Sequence, residues 1–369
     1  MTVFSTVIFT SCYHRTDSPR GSWAKGADLS WLSEMEHDGV PFYTAHDSVK
    51  EACDCMELLR GCGMNAVRLR VWVHHSTGWS NKEDMLTLAR RAAKAGQRIM
   101  IDFHYSDFFA DPHQQDIPAA WRGYNYDLLC EAVREHTLDV LYALKEEGIK
   151  PEWVQVGNET PNGMLWPVGR VKNPGTAESE AENELQWEHY AGLTTAGYNA
   201  VKEAFADATV IVHVDNAYEY RDWFWRALEK HGGKYDMIGL SHYPMMTAWS
   251  GIPWQEANRR AEANIRDLIG IFHKPVMIAE VGMMNWGRGA EYDSVATLSA
   301  EVMADFLARV EAIDSCAGVF YWEPECYGGW RPQEYIPLGW SGYDMGSFTP
   351  EGIPSPALER LLSGKESHP

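Results

Sequence analysis

The sequence lacks the patterns that mark several large classes of protein. It has no Walker loop, no Gly-x-Gly-x-x-Gly after a predicted strand and no zinc-ligand spacing. No stretch approaches the ~20 consecutive apolar residues that a membrane-spanning helix needs. Positive charge is scarce, since 32 Lys and Arg stand against 52 Asp and Glu and give a net charge of −20. Nucleic acids and anionic membrane surfaces require basic patches, so we expect neither as a partner.

Cysteine is also sparse, with an odd count of 7. We assign Cys53, Cys55 and Cys62 to one predicted helix, where a bridge between the first two is geometrically poor, and we therefore predict buried free thiols. Cys12 differs because it ends an apolar run, residues 7–12, that is typical of the end of a lipoprotein export signal. No Lys or Arg precedes that run. We expect residues 1–22 to be either the remnant of an export signal or a disordered tail. In the first case the protein is exported, and is either secreted or anchored to the cell surface by a lipid on Cys12.

Aromatic residues, in contrast, are abundant, with 16 Trp and 17 Tyr in 369 residues. They can fill a large core, or they can line a cleft with flat apolar faces of the kind that sugar rings stack against. Several fall in predicted loops, which favours the cleft: Trp79, Trp121, Trp166, Trp286, Trp330 and Trp340.

Short apolar runs alternate with amphipathic segments along the chain, and Gly or Pro residues separate them. The predicted strands cover residues 23–29, 66–72, 98–103, 153–159, 209–214, 237–241, 276–279 and 318–322. The predicted helices cover residues 48–60, 83–95, 126–147, 185–205, 223–230, 255–272, 294–313 and 357–362. Successive strand–helix units imply a parallel sheet with right-handed crossovers, and eight such units close into a barrel. We therefore predict a single (β/α)8 TIM-barrel domain over residues 23–365, with elongated βα loops that form the substrate cleft.

Polar or aromatic residues follow every predicted strand. Catalytic groups of such barrels lie on the face where the strands end, because the βα loops there are free to vary. The residues at these exits are Asp28, Arg70, His104, Asp107, Asn158, Glu159, His213, Asp215, His242, Tyr243, Glu280, Trp322 and Glu323. For Glu323 and nearby Glu325 we favour a salt bridge at the barrel rim.

Glu159 follows the fourth strand and Glu280 follows the seventh. A pair of carboxyl groups on either side of a glycosidic bond is the minimal equipment for hydrolysing it. Two neighbouring carboxylates raise the pKa of one, which stays protonated as the acid, while a donor such as Arg70 would keep the other ionised. Asn158 is placed to hydrogen-bond the 2-hydroxyl of the sugar. The pattern predicts a glycoside hydrolase.

Two other functions stay open on the residues alone. A metal-dependent hydrolase could use His104, His213 and His242, since imidazole is the commonest metal ligand. Against it, the first strand ends in Asp28 without a His-x-His pair, and no Lys stands at a strand end. A non-catalytic sugar-binding barrel would keep the tryptophans but would not need both glutamates.

Several motifs stand at or near the strand ends: GADLS (26–30), NAVRLRVW (65–72), DFHYSD (102–107), VGNE (156–159), MLWP (164–167) and AE (279–280). Together they resemble the signatures of glycoside hydrolase family 53, the arabinogalactan endo-β-1,4-galactanases, over the chain from about Trp23 to the final helix. Phe109 stands where that family's pattern has Trp.

The resemblance implies a retaining enzyme that cleaves within β-1,4-galactan, the side chain of pectic rhamnogalacturonan. In it Glu159 is the general acid/base and Glu280 the nucleophile. Some bacterial members of the family carry a structural calcium in a late loop; residues 288–293 are acidic here but show no calcium-binding pattern, so we expect no required cofactor and leave a structural calcium open. We expect a monomer. The alternatives are a related enzyme acting on mannan or another β-1,4-glycan, and a catalytically silent galactan binder. The candidate substrate-binding residues are Asp28, Arg70, His104, Asp107, Asn158, Trp166, His213, Asp215, His242, Tyr243 and Trp322.

Overall fold

The computed structural model describes residues 22–46, 49–285, 289–327, 329–338 and 345–363. Cys12, Trp286 and Trp340 lie outside the described residues, so the expectations placed on them stay predictions. No helix in the described part of the chain is long and apolar enough to cross a membrane.

The described strands form one closed parallel barrel and two short antiparallel ladders. In chain order the strands are β1 (Ala24–Asp28), β2 (Phe42–His46), β3 (Val49–Cys53), β4 (Ala66–Val71), β5 (Arg98–Phe103), β6 (Trp153–Val156), β7 (Gly163–Met164), β8 (Gly169–Arg170), β9 (Thr209–Val214), β10 (Met237–His242), β11 (Val276–Val281) and β12 (Cys316–Tyr321). The barrel closes in the order β1-β12-β11-β10-β9-β6-β5-β4. Every position of β4, β5, β10 and β11 is buried, as expected for parallel strands covered on both faces. The predicted (β/α)8 barrel is confirmed.

Helices cover the outside of the barrel. They are α1 (Leu32–His37), α2 (Cys55–Gly61), α3 (Lys82–Lys94), α4 (Tyr126–Glu146), α5 (Glu180–Ala204), α6 (Asp222–Lys230), α7 (Trp254–Phe272), α8 (Ala290–Val310) and α9 (Pro356–Ser363). Polar side chains fix where several of them begin. The side chain of Asn81 accepts a hydrogen bond from the backbone N–H of Asp84 at 3.0 Å, and Asn125 caps α4 in the same way.

The predicted helix over residues 48–60 is wrong in its first half. Residues 42–46 and 49–53 pair as an antiparallel ladder, with Phe42 opposite Cys53. Asp54 then begins α2, because its side chain accepts from the backbone N–H of Glu57 at 2.9 Å. Two other helices begin earlier than predicted, α5 at Glu180 and α8 at Ala290.

The cysteines of the described residues are free thiols, as predicted, but only Cys55 and Cys316 are buried; Cys53, Cys62, Cys130 and Cys326 are half-buried. They do not share a helix at the start of the chain, however. Cys53 ends β3, Cys55 begins α2 and Cys62 follows its last residue.

The barrel interior is filled below the site by one side chain from each barrel strand. These are Ala24, Ala66, Met100, Trp153, Ile211, Met237, Met277 and Phe320, which pack as an apolar cluster of their own. Since side chains alternate along a strand, the residue two positions further on points into the barrel one layer higher. That second layer is polar at Arg68, Asp102, Gln155 and His213, all buried. The apolar cluster is thus the floor on which a polar site is built.

A register shift brings two of the strands into the arrangement that the site requires. Along β10 and β11, Leu240 pairs with Ile278, but the next residue, Ser241, pairs with Glu280. The extra residue, Ala279, forms a bulge, and bulges commonly re-aim side chains next to active sites. The shift sets Glu280 beside Ser241 at the carboxyl end of the barrel.

Candidate active site

Glu159 and Glu280 open into one cleft at the carboxyl end of the barrel strands. The cleft has a volume of about 270 Å³. Its lining comes from loops after several strands and includes Phe109, Asp111, Asn158, Glu159, Asp215, Asn216, Tyr243, Met246, Glu280, Trp322 and Met345. The ring centroids of Tyr243 and Trp322 are 6.1 Å apart and nearly perpendicular, so the wall beside Glu280 is aromatic. The structure therefore brings Glu159 and Glu280 into one cleft.

Arg68 on β4 is the electrostatic centre of the site. Its guanidinium, buried beneath the cleft, is 2.7 Å from Asp28, 2.8 Å from Asp102 and 2.9 Å from Glu280. Although burial by itself lowers the pKa of the guanidinium, the carboxylates of Asp102, Glu280 and Asp28 raise it above its ordinary value. Arg68 therefore stays positively charged and holds negative charge around it.

Glu280 has a cation on one oxygen and a phenol on the other. Arg68 contacts its Oε1 at 2.9 Å, and the hydroxyl of Tyr243 donates to its Oε2 at 2.6 Å. Burial raises the pKa of Glu280 above its usual value, but Arg68 and the Tyr243 hydroxyl both oppose that rise. Burial and the nearby Glu280 carboxylate raise the pKa of Tyr243 well above its ordinary value, so the phenol keeps its proton and remains a donor.

Glu159 is presented by a tight turn after β6. Gly157 has φ +84°, a conformation that glycine adopts without strain, and Glu159 has φ +41°, which is uncommon for a residue with a side chain. The side-chain amide of Gln115 clamps this turn by donating to the carbonyls of Asn158 at 2.8 Å and Glu159 at 3.1 Å. A strained residue that its surroundings hold firmly is common at functional sites.

Among the described residues, no Arg, Lys or His forms a salt bridge with the carboxyl group of Glu159. The Ser241 hydroxyl donates to its Oε1 at 2.6 Å. Burial raises the pKa of Glu159 well above its usual value, and the negative charges of Glu280 and Asp215 raise it further. Because Arg68 is beside Glu280 and not beside Glu159, the pKa of Glu159 is raised more strongly than that of Glu280.

Asn158 lines the cleft between the two glutamates and is locked in one orientation. Its Oδ1 accepts from Arg68 at 2.8 Å and from Gln155 at 2.9 Å, and its Nδ2 donates to the carbonyl of Ala110 at 2.8 Å. One N–H of the amide stays available to a hydroxyl in the cleft.

Three of the predicted binding residues lie beneath the cleft surface and act on its lining. Asp28 pairs with Arg68. His104 contacts Asp102 at 3.0 Å and accepts from the backbone N–H of Ala110, a cleft residue, at 2.9 Å. His213, which is fully buried, contacts Ser241 at 2.8 Å.

Asp215, Tyr243 and Trp322 lie on the cleft wall, as the sequence analysis expects for binding residues. The Asp215 carboxylate is ion-paired with Arg221 and accepts from the Asn216 amide at 2.6 Å. Burial raises the pKa of Asp215 even though Arg221 opposes this.

Arg70 and His242 do not reach the cleft surface. Arg70 is buried, pairs with Glu323 at 3.0 Å and lies 4.5 Å from the ring centres of Trp31 and Phe109. It does not touch Glu280, so the sequence analysis assigned the stabilising cation to the wrong arginine of β4. His242 faces the helices, where its Nε2 is 2.8 Å from the Asn258 side chain and its ring is 4.4 Å from that of Phe306.

Asp107 and Trp166 belong to the loops around the cleft and lie outside its lining. Asp107 ties two loops together, since it accepts from the backbone N–H groups of His74 at 3.0 Å and Ala119 at 2.7 Å. The indole of Trp166 donates to the carbonyl of Asn162 and lies 4.4 Å from the guanidinium of Arg170.

Glu323 and Glu325 are buried rather than exposed at the rim. Glu323 forms the predicted salt bridge, with Arg70, but only 2% of it is exposed. Glu325 is fully buried and accepts from the backbone N–H of Trp31 at 3.0 Å. Burial raises the pKa of Glu323 to about 8 and that of Glu325 well above its usual value.

The sequence analysis missed the residues that support the two glutamates from below. They are Arg68, Asp102, Gln155 and Ser241. A signal for the first three exists in the sequence, because each is a polar residue inside an apolar strand, two positions after a residue of the barrel floor.

The three histidines considered as metal ligands have separate partners: His104 binds Asp102, His213 binds Ser241 and His242 binds Asn258. In the described ranges, no group of three or more His, Cys, Asp and Glu side chains could hold a metal ion. Residue 288, the first of the segment considered for calcium (288–293), lies outside those ranges.

Comparison with known proteins gives concordant results. The sequence pattern of glycosyl hydrolase family 53 matches residues 24–359. The arabinogalactan endo-β-1,4-galactanase of Cellvibrio japonicus is 31% identical, over 81% of this chain and 79% of its own. An uncharacterized protein from the bgaB 5′ region of Niallia circulans is also 31% identical, over 93% of this chain and 94% of its own. A solved fungal β-1,4-galactanase superimposes with a TM-score of 0.74 at 26% identity and covers 91% of this chain and 98% of its own.

Proposed function

The chain belongs to glycosyl hydrolase family 53 and is a glycoside hydrolase, and from this premise we propose that it cleaves β-1,4-galactosidic bonds within galactan chains. The names of the Cellvibrio relative and of the fungal structure support this substrate. The observation that carries the chemistry is the unequal pair of glutamates in one cleft: Arg68 lies beside Glu280, whereas no cation in the described part of the chain contacts Glu159.

In the first step, Glu280 is the nucleophile. A carboxylate oxygen bonds to the anomeric carbon while the bond from that carbon to the glycosidic oxygen breaks. Arg68 and Tyr243 hold the carboxylate in place and favour its ionised form before the attack.

Glu159 is the acid of this step and the base of the next. It gives its proton to the departing glycosidic oxygen, so the leaving group departs as a neutral hydroxyl. It then takes a proton from water, whose oxygen attacks the anomeric carbon and displaces Glu280. Two inversions at the same carbon give overall retention of configuration.

Asn158 contributes at the sugar ring. Its free N–H can donate to the 2-hydroxyl, a contact that strengthens in the transition state. Since Arg68 fixes the amide oxygen, the amide cannot turn its acceptor toward the sugar.

The proposed roles predict different defects for the two glutamates. With Glu159→Ala, hydrolysis of galactan should fall by ~10²–10⁴-fold, because the leaving group is no longer protonated. A dinitrophenyl galactobioside, whose leaving group needs no proton, should still form the glycosyl-enzyme, and added azide should give the β-glycosyl azide. With Glu280→Ala, neither galactan nor the dinitrophenyl galactobioside should be hydrolysed. Added azide should then take the place of the nucleophile and convert the dinitrophenyl galactobioside to the α-glycosyl azide.

The products are identified by NMR and mass spectrometry, and both variants are checked for folding by circular dichroism. Azide products of the opposite configuration would reverse the role assignment. Equal activity of either variant and wild type on galactan would remove that glutamate from the mechanism.

The substrate itself is tested by incubating the wild type with linear galactan, mannan and xylan, with and without EDTA. We expect galactan alone to give a ladder of short oligosaccharides, in both conditions, since the proposed steps need only side chains and water. Release from mannan instead would indicate a related β-1,4-glycanase. Binding of galactan without release would indicate a silent binder.

A further inference from the structure

We propose that Ser241 and His213 are positioning residues for the acid/base, and that they form a hydrogen-bond chain that sets which oxygen of Glu159 carries the catalytic proton. This inference rests on the proposed role of Glu159. It changes the role given to His213 from the sequence, because a fully buried imidazole cannot touch the substrate.

The hydrogen-bond chain runs without a break from the barrel interior to the cleft. His213 Nε2 lies 2.8 Å from Ser241 Oγ, and Ser241 Oγ lies 2.6 Å from Glu159 Oε1. Each member comes from a different strand or strand end, namely β9, β10 and the turn after β6. Packing of β6, β9 and β10 side by side therefore holds the three residues close together.

The partners of the other imidazole nitrogen decide the direction of these hydrogen bonds. His213 Nδ1 faces two donors, the side-chain amide of Gln155 at 3.0 Å and the backbone N–H of Glu159 at 3.4 Å. Asn158 Oδ1 also lies 3.0 Å from Nδ1, but this oxygen already accepts from Arg68 and Gln155, so we assign Nδ1 as an acceptor. The amide of Gln155 is itself oriented, because its oxygen accepts from Arg68 at 3.3 Å. An accepting Nδ1 leaves the proton of a neutral imidazole on Nε2.

The imidazole is neutral because burial lowers the pKa of His213 well below its usual value, and the charge of Arg68 lowers it further. Its Nε2–H donates to Ser241 Oγ, whose own proton is then committed to Glu159 Oε1. A hydroxyl that donates to Oε1 leaves Oε2 as the oxygen that holds the acid proton. In this arrangement the proton is on the carboxyl oxygen that Ser241 does not occupy.

The same hydrogen bond acts after the proton has left. A donor to Oε1 stabilises the carboxylate, so Ser241 lowers the pKa of Glu159 against burial and against the negative charges that face it, Glu280 on β11, Asp215 after β9 and Asp111 after β5. Arg68 and Tyr243 are directed to Glu280, so Ser241 is the donor recorded on the Glu159 carboxyl among the described residues. Burial and the facing carboxylates thus keep the pKa of Glu159 high enough for the acid of the first step, while the Ser241 donor stabilises the carboxylate that acts as the base of the second step.

The test replaces Ser241 by Ala and by Thr, and follows two readouts. The first is the dependence on leaving group. Ser241→Ala should lower kcat/KM for galactan by ~10–100-fold, a part of what a whole general acid contributes, and should leave kcat/KM for the dinitrophenyl galactobioside within about twofold, since departure of that group needs no proton. Ser241→Thr keeps the hydroxyl and should restore galactan cleavage.

The second readout does not depend on activity. With glutamate labelled by ¹³C at the carboxyl carbon, the resonance of Glu159 is identified by its loss in Glu159→Gln and is then titrated. Loss of the Ser241 donor should move the pKa of Glu159 upward, and the alkaline limb of kcat/KM should move with it. Ser299→Ala is the matched control, because Ser299 is a buried serine whose hydroxyl bonds the carbonyl of Met284, away from both glutamates. It should change neither readout.

Equal losses on both substrates, with the carboxyl titration unchanged, would show that Ser241 is merely structural and overturn the proposal. His213→Leu should reproduce the effect of Ser241→Ala; a folded His213→Leu with wild-type values in both readouts would remove His213 from the chain. A wild type that leaves galactan intact would overturn the proposed substrate, whereas the carboxyl titration would still decide the role of Ser241.

Discussion

At the scale of single residues, the site depends on one positive charge among several negative ones. Arg68 contacts three carboxylates, and its guanidinium also donates to Asn158. Removing one partner from a buried ion pair is costly because the remaining charge loses both water and its counterion. Without Arg68, the carboxylates of Asp28, Asp102 and Glu280 would all lose this counterion.

We therefore expect Arg68→Met to lower the free energy of unfolding by about 3–5 kcal/mol or more and to abolish activity. The acidic limb of the rate profile of any residual activity should move to higher pH, since the charge that opposes the rise in the pKa of Glu280 is gone. Denaturant unfolding and kcat/KM between pH 4 and 8 measure the two effects.

Arg98→Met is the matched control. Arg98 is also on a barrel strand, β5, but it lies at the opposite end of the barrel and forms a two-point salt bridge with Glu152, whose side chain is 19% exposed. Its replacement should cost less stability and leave the rate profile unchanged. If Arg68→Met is as stable and active as Arg98→Met, the proposed role of Arg68 as the electrostatic centre of the site is wrong.

The sequence could not distinguish Arg68 from Arg70. They are two positions apart on one strand and face the same side, so period-two alternation treats them alike. What separates them is depth: Arg68 sits one layer above the floor within reach of Glu280, whereas Arg70 is enclosed by Trp31 and Phe109. Depth depends on the stagger of neighbouring strands, and a single strand does not record it.

At the scale of elements, the barrel strands were readily predicted because each is a continuous apolar run that ends at a polar residue. The predicted bounds of the third strand, residues 98–103, agree with β5. The hairpin of β2 and β3 was missed because it depends on pairing between two segments, and its second strand carries Lys and Glu without a clear alternation.

The contact between α5 and β6 gives a prediction about the support of Glu159. Gly197 lies inside α5, and a Cβ there would be 2.6 Å from Cγ1 of Val156 and 3.0 Å from the Tyr105 hydroxyl. Val156 is the last residue of β6, immediately before the turn that carries Glu159. Gly197→Ala should destabilise the protein by about 1–3 kcal/mol through overpacking and should lower kcat by displacing that turn.

Gly270→Ala makes the same change at a helix position with open space, since no atom lies within 4 Å of the added Cβ. Gly270→Ala should therefore raise the free energy of unfolding by about 0.5–1 kcal/mol, the usual effect of replacing a glycine inside a helix by alanine. Thermal unfolding of the two variants tests the difference, and a stabilised, fully active Gly197→Ala would show that α5 yields without disturbing the site.

At the scale of the whole molecule, two sets of buried groups oppose each other in their response to pH. Burial raises the pKa of several carboxyl groups, to about 8 for Glu34 and Glu323 and well above the usual value for Glu325. Burial also lowers the pKa of several histidines, to about 4 for His136 and His242. The histidines reduce stability as pH falls below 6.5, where the unfolded chain takes up protons that the native imidazoles refuse. The carboxyl groups reduce stability as pH rises above 4.5, where the unfolded chain releases protons that the native state keeps.

Between pH 6.5 and 8 only the carboxyl groups act, so the native state binds more protons than the unfolded state and stability should fall as pH rises. Each carboxyl group that is protonated in the folded protein and ionised in the unfolded chain lowers the free energy of unfolding by about 1.4 kcal/mol per pH unit in this window. Charge repulsion within a protein of net charge −20 also lowers it. Glu34→Gln should remove one contribution, because glutamine can still accept from the Tyr335 hydroxyl that is 2.8 Å from Glu34. Its unfolding temperature should exceed that of the wild type at pH 8 by more than at pH 5. An unfolding temperature of the wild type that rises from pH 6.5 to 8 would contradict the assignment of these carboxyl groups as protonated in the folded protein.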